Sequence, residues 1–372
     1  MKIGIVIDNV YQLGGVERVA SLLCKIFSEN LRHEVTLFST FTRPGEGTAV
    51  FEYSDKIKIV HLREKLNKDS WLVKNSLSQK TFLKYAVLSQ LKKQLKFHPQ
   101  DILISTVCWC NCFLPFFKGK AQNIACEHGS FEAIPRPYRW ASRLFFRFSD
   151  AAVFLTQGNA GNYTFMPPEK RFVIPNALSF MPEQSSDCSA KRIISLTRFT
   201  HEKGNDILLE IAARLKNLIP DWQINVFGAG ADEAMLKVRA NELKLNGFLH
   251  FHAPTANAKQ ELLESSIYIL YSRSEGLPMV LLESQACGVP IVSFACGHGP
   301  GAIINNDTNG FLIAPGNIDD YVQAVVKLAH DEDLRKKFGA AARIDSQRFA
   351  PEKIAEIWQQ LFDKLYSGKA KK

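Results

Sequence analysis

Residues 272–285 read SRSEGLPMVLLESQ, and the rest of the chain is best understood outward from them. The short apolar run 267–271 before them has the make-up of a buried parallel strand. Glu275, Gly276, Leu277 and Pro278 then form a loop, and an apolar-periodic helix carrying Glu283 follows. Gly276 lets the backbone turn sharply or come close to a ligand. Pro278 suits a first helical turn, where its missing N–H costs nothing. The free amides of that turn and the positive end of the helix dipole make an anion site. Glu275 in the loop and Glu283 within the helix can face one crevice. One carboxylate would accept from sugar hydroxyls and the other from a ribose, with a phosphate between them. Taken alone, such a pair is more often two solvated glutamates on a capped surface helix.

Two features upstream change that weighing. Arg198 and Lys203 stand in SLTRFTHEKG, directly after the apolar run 193–196, and Gly14 and Gly15 stand in QLGGVER after the first strand. With these motifs in this order, the chain resembles the retaining glycosyltransferases of family 4, which have the GT-B fold. The resemblance covers nearly the whole chain. It implies an α/β protein with two Rossmann-like domains facing a central cleft. Residues 1–178 would bind the acceptor and 179–349 the nucleotide sugar, while 350–372 would form a helix returning to the first domain. It further implies that Gly14 and Gly15 lie beside the donor diphosphate and the acceptor. His128, in the Glu127-His128-Gly129 segment, resembles the family's active-site histidine.

Length and composition agree with this picture. The 372 residues exceed one comfortable core, so two domains are expected. A hydrophobic share of 46% and a charged share of 22% are ordinary for a globular protein. No apolar run is long enough to span a bilayer, and the opening MKIGIVID, broken by Asp8, is read as a strand rather than a signal peptide. The eight cysteines are expected as reduced structural thiols in a cytoplasmic protein. Cys108, Cys110 and Cys112 lack the spacing of a metal site. The net charge is +9, and residues 1–178 hold 24 lysines and arginines against 14 acidic residues, so the excess lies in the first half. Such a half can attract nucleic acid, anionic lipid or an acidic substrate.

Along the chain, parallel strands are expected at 2–7, 34–39, 57–62, 101–106, 123–126, 151–155 and 172–174. A second set falls at 193–196, 223–227, 249–252, 267–271, 291–294 and 311–313. Loops or linkers are read at 44–47 and 181–190, and a frayed tail at 369–372. A helix over 82–97 places Lys84, Lys92, Lys93 and Lys96 around an apolar stripe. Residues 135–148, PRPYRWASRLFFRF, interleave Arg136, Arg139, Arg143 and Arg147 with aromatic side chains. Arginines four apart share a helix face, and with aromatics they suit a lipid headgroup boundary. A packed helix with solvated arginines is the plainer alternative. Gly228-Ala229-Gly230 mimics a dinucleotide fingerprint, but Glu233 stands where a third glycine belongs. It is better read as a turn near the nucleotide. Where family members carry an acidic residue after Gly-Pro, this chain has Ala302.

The chemistry expected is transfer of a sugar from a nucleoside diphosphate sugar, by the resemblance a UDP-sugar, to a hydroxyl with retention of configuration. Arg198, Lys203 and the amides at Leu277 would meet charge on the leaving diphosphate. The cations would take the place of a metal, with no Asp-x-Asp motif recognised and no cofactor expected. Glu275 would hold donor hydroxyls, Glu283 the ribose, and His128 the reacting face of the sugar. The partners expected are the nucleotide sugar, a glycan or lipid-linked acceptor, and the anionic inner face of the cytoplasmic membrane, with no nucleic acid. The rivals are a glycoside hydrolase using the two carboxylates, a non-catalytic nucleotide-sugar scaffold, and a nucleic-acid binder drawn only from the basic first half.

Overall fold

The computed structural model of the chain describes residues 1–42, 45, 47–62 and 76–369. Pro44 and Glu46 of the expected loop, and residues 370–372 of the expected frayed tail, lie outside them. The described residues divide into two compact units, those within 1–177 together with 351–369, and 178–350.

The first unit is built on strands β1 (Lys2–Ile7), β2 (Glu34–Ser39), β3 (Lys58–His61), β4 (Ile102–Ser105), β5 (Gln122–Glu127), β6 (Ala151–Phe154) and β7 (Arg171–Val173). They lie in the order β3-β2-β1-β4-β5-β6-β7 with every described pairing parallel. Between them run α1 (Gly15–Lys25), α2 (Ser76–Phe97), α3 (Cys108–Phe113), α4 (Arg136–Phe145) and α5 (Gln157–Gly161). Strands such as ILIS and AAVF are apolar on both faces because helices cover both sides of a parallel sheet. Helix α2 follows its spacing: Val87, Leu88, Leu91 and Leu95 are buried, while Lys92, Lys93 and Lys96 are exposed. Lys84 departs from that solvated pattern. Its ammonium lies over the rings of Trp109 and Tyr138, 5.3 and 4.6 Å from their centroids, and donates to the Tyr138 hydroxyl.

The second unit has β8 (Arg192–Leu196), β9 (Gln223–Phe227), β10 (Leu249–His252), β11 (Ile267–Leu270), β12 (Ile291–Phe294) and β13 (Gly310–Ile313), in the order β10-β9-β8-β11-β12-β13. Helices α6 (Asn205–Leu218), α7 (Glu233–Glu242), α8 (Ala258–Leu263), α9 (Met279–Ala286), α10 (Gly299–Ile303), α11 (Ile318–His330) and α12 (Glu332–Ser346) connect and cover the sheet. Its core joins Ile193, Leu208, Leu215, Ile224, Ile269, Val292, Tyr321 and Leu328. Residues 181–190, read as a linker, are held against this unit. Ser186 N–H donates to the Cys287 carbonyl, and buried Cys188 lies against Gly288.

The final helix, α13 (Pro351–Lys369), belongs to the first unit. Ile354, Ala355, Trp358, Leu361 and Phe362 form one buried stripe. The Trp358 and Phe362 rings meet Phe27 edge-on at 5.3 and 5.2 Å, and Gln359 bonds His33 at 3.0 Å.

In both sheets the first strand of the unit sits beside the fourth, β1 next to β4 and β8 next to β11, with chain connections leaving to opposite sides. A doubly wound sheet opens a crevice at the carboxyl ends of its strands at such a reversal. This geometry decides where functional side chains can converge.

Candidate active site

In the second unit the reversal lies between β8 and β11, and the loops that leave these two strands carry the residues singled out above. The β8 loop holds Arg198 and Lys203, and the β11 loop holds Glu275 to Pro278. The two loops are fastened together. The Arg273 N–H donates to the Glu202 carbonyl at 2.9 Å, and the Arg273 guanidinium reaches the His201 carbonyl and both carboxylate oxygens of Asp206, each at 2.7 Å. From within, the Asn205 amide donates to the Arg198 carbonyl at 2.9 Å.

This clamp brings Lys203 Nζ to 2.8 Å from Glu275 Oε1, and the Ser272 hydroxyl donates to the same oxygen at 2.7 Å. Both charged side chains are largely withdrawn from water, at 16% and 10% exposed. An ammonium has three donors, so the bond to Glu275 leaves others for a ligand. The Arg198 guanidinium is exposed and pairs with no acidic side chain among the described residues. Cys296, after β12, senses the same pair. Burial pushes its thiol up to about 12, with the Glu275 carboxylate adding to the rise and Lys203 opposing it.

Helix α9 begins at Met279, so Pro278 is its cap, with φ −69° and ψ 113°, rather than a member of its first turn. The loop before it is tightly packed. A side chain at Gly299 would place Cβ 2.2 Å from the Gly276 carbonyl oxygen, so Gly299 has to be glycine for the loop to keep its path. Ala302 presents its carbonyl to Arg348 at 2.9 Å. Glu283 is fully buried, and the Ser179 hydroxyl donates to its Oε1 at 2.5 Å. Glu275 and Glu283 thus occupy different surroundings, one in the ion pair at the strand ends and the other inside the unit.

Gly228 and Gly230 have a packing reason to be glycine. Cβ atoms there would lie 1.8 Å from the Thr197 carbonyl oxygen and 2.2 Å from that of Phe199. The β9 loop therefore backs directly on the loop that carries Arg198, where the Phe199 N–H donates to the Ala229 carbonyl. Sequence reasoning also passed over Gly204. Its φ is +69°, and a Cβ would lie 2.3 Å from the Tyr271 carbonyl oxygen. The signal was there, since a glycine directly after the Lys203 turn and opening a helix marks a left-handed residue. Gly204→Ala is expected to lower the stability of this unit by about 1–2 kcal/mol through strain and displacement of the 271–275 loop. An unchanged urea midpoint would contradict this account.

Asp331-Glu332-Asp333 does spell Asp-x-Asp, which the sequence reading missed. Asp331 caps α12, its side chain accepting from the Leu334 N–H at 2.8 Å, and Glu332 pairs with Lys336. Local helix chemistry explains this triplet. Among the described residues, no three His, Cys, Asp or Glu side chains are grouped so as to hold a metal ion. All eight cysteines are free thiols, and Cys110, Cys112 and Cys126 are buried in the first unit.

The structure places Gly14, Gly15 and His128 in the first unit, at the carboxyl edge of its sheet. Gly14 caps α1 in an extended conformation, and a Cβ there would meet the Glu17 carboxylate at 2.1 Å, while the space at Gly15 is open. His128 follows β5. Neither ring nitrogen has a hydrogen-bond partner among the described residues, and burial lowers its pKa to about 4, so the ring is neutral. Beside it Glu127 is buried, and its Oε1 accepts from the Asn111 amide at 2.8 Å. Burial raises this carboxyl to about 7, and the Asn111 bond only partly offsets the rise. At the reversal between β1 and β4, Trp109 Nε1 donates to Asp8 at 3.2 Å. Asp8 is itself raised by burial, against the hydrogen bonds from Trp109 and Thr40 and the charge of Lys84.

Residues 180–345 match the family described as Glycosyl transferases group 1. That span contains Arg198, Lys203, Gly228, Glu275, Gly276, Leu277, Pro278 and Glu283. Along its length the chain is similar to the amylovoran biosynthesis glycosyltransferase AmsD of Erwinia amylovora, 25% identical over 97% of this chain and 99% of that one. It is also similar to the GalNAc-alpha-(1->4)-GalNAc-alpha-(1->3)-diNAcBac-PP-undecaprenol alpha-1,4-N-acetyl-D-galactosaminyltransferase of Campylobacter jejuni, 26% identical over 97% of this chain and 98% of that one. Among solved structures, a variant of Staphylococcus aureus TarM with fondaparinux, alpha-GlcNAc-glycerol and UDP superposes with a TM-score of 0.80. The match covers 97% of this chain and 99% of that one at 15% identity, a likeness of fold. The two Rossmann-like units are thus those of the GT-B fold, and the relatives are glycosyltransferases of bacterial glycan synthesis.

Proposed function

We propose that the chain is a retaining glycosyltransferase of family 4. It would move a sugar from a nucleoside diphosphate sugar, a UDP-sugar, to a hydroxyl of a glycan or lipid-linked acceptor in bacterial surface polysaccharide synthesis. The observation that carries this reading is the Lys203–Glu275 pair with exposed Arg198 at the strand reversal of the second unit, within the span matched to the glycosyltransferase family. A leaving diphosphate gains charge as the glycosidic bond breaks, and cations fixed beforehand lower that barrier without reorganising. Lys203 and Arg198 take this role, Glu275 holds sugar hydroxyls, and the amides at Gly276 and Leu277 meet the phosphate. Glu283 is assigned to the ribose, and neutral His128 serves as a hydrogen-bonding contact to the donor sugar rather than as an acid. The acceptor falls to the first unit, and the place of action is the inner face of the cytoplasmic membrane.

A panel of nucleoside diphosphate sugars, followed by nucleoside diphosphate release with and without acceptor, tests the reading. Acceptor-dependent release from one donor supports it. Donor binding without release would leave a scaffold. Hydrolysis of a glycan with no nucleotide present would leave a hydrolase, a reading that gives Arg198 and Lys203 no role.

The two cations are proposed to replace a divalent ion, so activity is expected to persist in excess EDTA. Loss of turnover in EDTA with recovery on added Mg²⁺ or Mn²⁺ would overturn the metal-free mechanism.

A further inference from the structure

We propose that the exposed face of α4 and the turn that follows it is a docking surface for an anionic lipid bilayer. The helix is anchored from beneath. Ala141 and Ser142 are buried, as is Phe146 in the turn after it, and Phe113 of α3 packs on Phe145 at 5.7 Å. Cys112 of α3 and Lys84 of α2 both contact Tyr138. What remains outward is one continuous strip. Trp140 is 65% exposed, Leu144 36% and Phe148 48%, and Arg136, Arg143 and Arg147 stand between them. Phe116, 49% exposed, extends the strip through ring contacts of 5.7 Å with Phe145 and Phe148.

The occupant follows from charge and shape. No acidic residue lies between Arg136 and Ser149 in the sequence. No described acidic side chain pairs with Arg136, Arg143 or Arg147, and the Arg147 guanidinium lies 5.0 Å over the Phe148 ring. Nearby Asp150 is already engaged by Lys118 and by the Asn123 N–H. Unpaired guanidiniums with large, exposed apolar groups between them fit a surface where phosphates and the edge of the acyl layer alternate over a few ångströms. A protein partner would need an acidic groove that also takes up an indole, whereas a bilayer provides both chemistries everywhere. The structure also corrects the sequence reading. Phe146 is core and unable to insert, the helix ends at Phe145, and half-buried Arg139 lies 5.9 Å from the Phe131 ring centroid. The inserting groups are therefore Trp140, Leu144 and Phe148, and the docking charges are Arg136, Arg143 and Arg147. This docking does not depend on the sugar-transfer reading.

The test is co-sedimentation of the full chain with phosphatidylcholine vesicles and with the same vesicles containing phosphatidylglycerol, at low and high salt. Three forms are compared: the unaltered protein, Arg136→Glu/Arg143→Glu/Arg147→Glu, and Trp140→Ser/Phe148→Ser. All changed side chains are exposed, and circular dichroism with a thermal melt shows that each variant is folded. Binding to the anionic vesicles is expected to exceed that to neutral ones by about tenfold or more and to fall with salt. Charge reversal is expected to abolish it, and the serine pair to weaken it at unchanged charge. Equal binding to both vesicles, or binding untouched in the charge-reversed form, overturns the proposal. So does a self-associating protein whose dimer is broken by Trp140→Ser/Phe148→Ser while the vesicles bind nothing, since a second copy would then cover the strip.

Discussion

Arg198→Ala and Lys203→Ala are each expected to lower kcat by about a hundredfold to a thousandfold while the chain stays folded. The basis is the removal of a fixed positive charge from a developing diphosphate, which costs roughly 2–4 kcal/mol in the transition state. The two variants differ in what else they disturb. The Arg198 side chain is exposed and makes no ion pair among the described residues, while its loop is held by backbone contacts, the carbonyl of Arg198 accepting from Asn205. Its loss should be a kinetic effect alone. Lys203 is the counter-ion of Glu275, and both are mostly buried, so among the described residues Lys203→Ala leaves the carboxylate with the Ser272 hydroxyl as its hydrogen-bond donor. A partly buried charge stripped of its partner destabilises the protein. The melting temperature is therefore expected to drop for Lys203→Ala and to stay level for Arg198→Ala, with turnover lost in both. Near-normal turnover in both at saturating and limiting donor would remove the proposed diphosphate role. Lost turnover only in the variant that also melts early would reduce Lys203 to a structural ion pair.

The fold was legible because parallel strands covered on both faces are short apolar runs, a pattern that leaves little ambiguity. Every strand read from such a run is present, its ends within one residue of those expected. The residues proposed for the site were named from the sequence, but the contacts among them were not. That Glu275 and Lys203 come together follows from the sheet order, which sets β8 beside β11, and no spacing along the chain contains that information. Partners such as Ser272 and Ser179 were unreadable because a serine near a glutamate is commonplace and only the fold selects which one donates. The Phe145, Phe146 and Phe148 run shows the same limit. Its three rings are alike in sequence, and the break from α-helix to a tighter turn after Phe145 sends Phe146 into the core and Phe148 outward. Glycines such as Gly204, Gly228 and Gly299 were ambiguous for a related reason, because their need is set by backbone atoms far away in sequence.

The neighbouring pair Glu127 and His128 carries the second large expectation, a stability that responds to pH in opposite senses at its two members. Burial raises the Glu127 carboxyl from 4.5 to about 7. The folded chain therefore holds this proton more tightly than the unfolded one, so the stabilisation is complete below pH 4.5 and is lost as pH rises through about 7. Burial lowers His128 from 6.5 to about 4. Its contribution is complete above pH 6.5 and is lost as pH falls through about 4. Between pH 4.5 and 6.5 the two slopes oppose each other, and the unaltered protein should show little net dependence from this pair. Glu127→Gln keeps an oxygen for the Asn111 amide and removes the ionisation. It should gain stability relative to the unaltered protein as pH rises, by on the order of 3 kcal/mol at mildly alkaline pH, and expose the unopposed histidine slope in acid. His128→Asn should do the reverse, holding its stability in acid and losing it as pH rises toward 7. Urea unfolding followed by tryptophan emission can read this, since Trp109, Trp140 and Trp358 all lie in the first unit. A difference between Glu127→Gln and the unaltered protein that is the same in mild acid and mild alkali would mean that this carboxyl ionises as freely folded as unfolded, and the buried neutral pair beside the sheet edge would have to be abandoned.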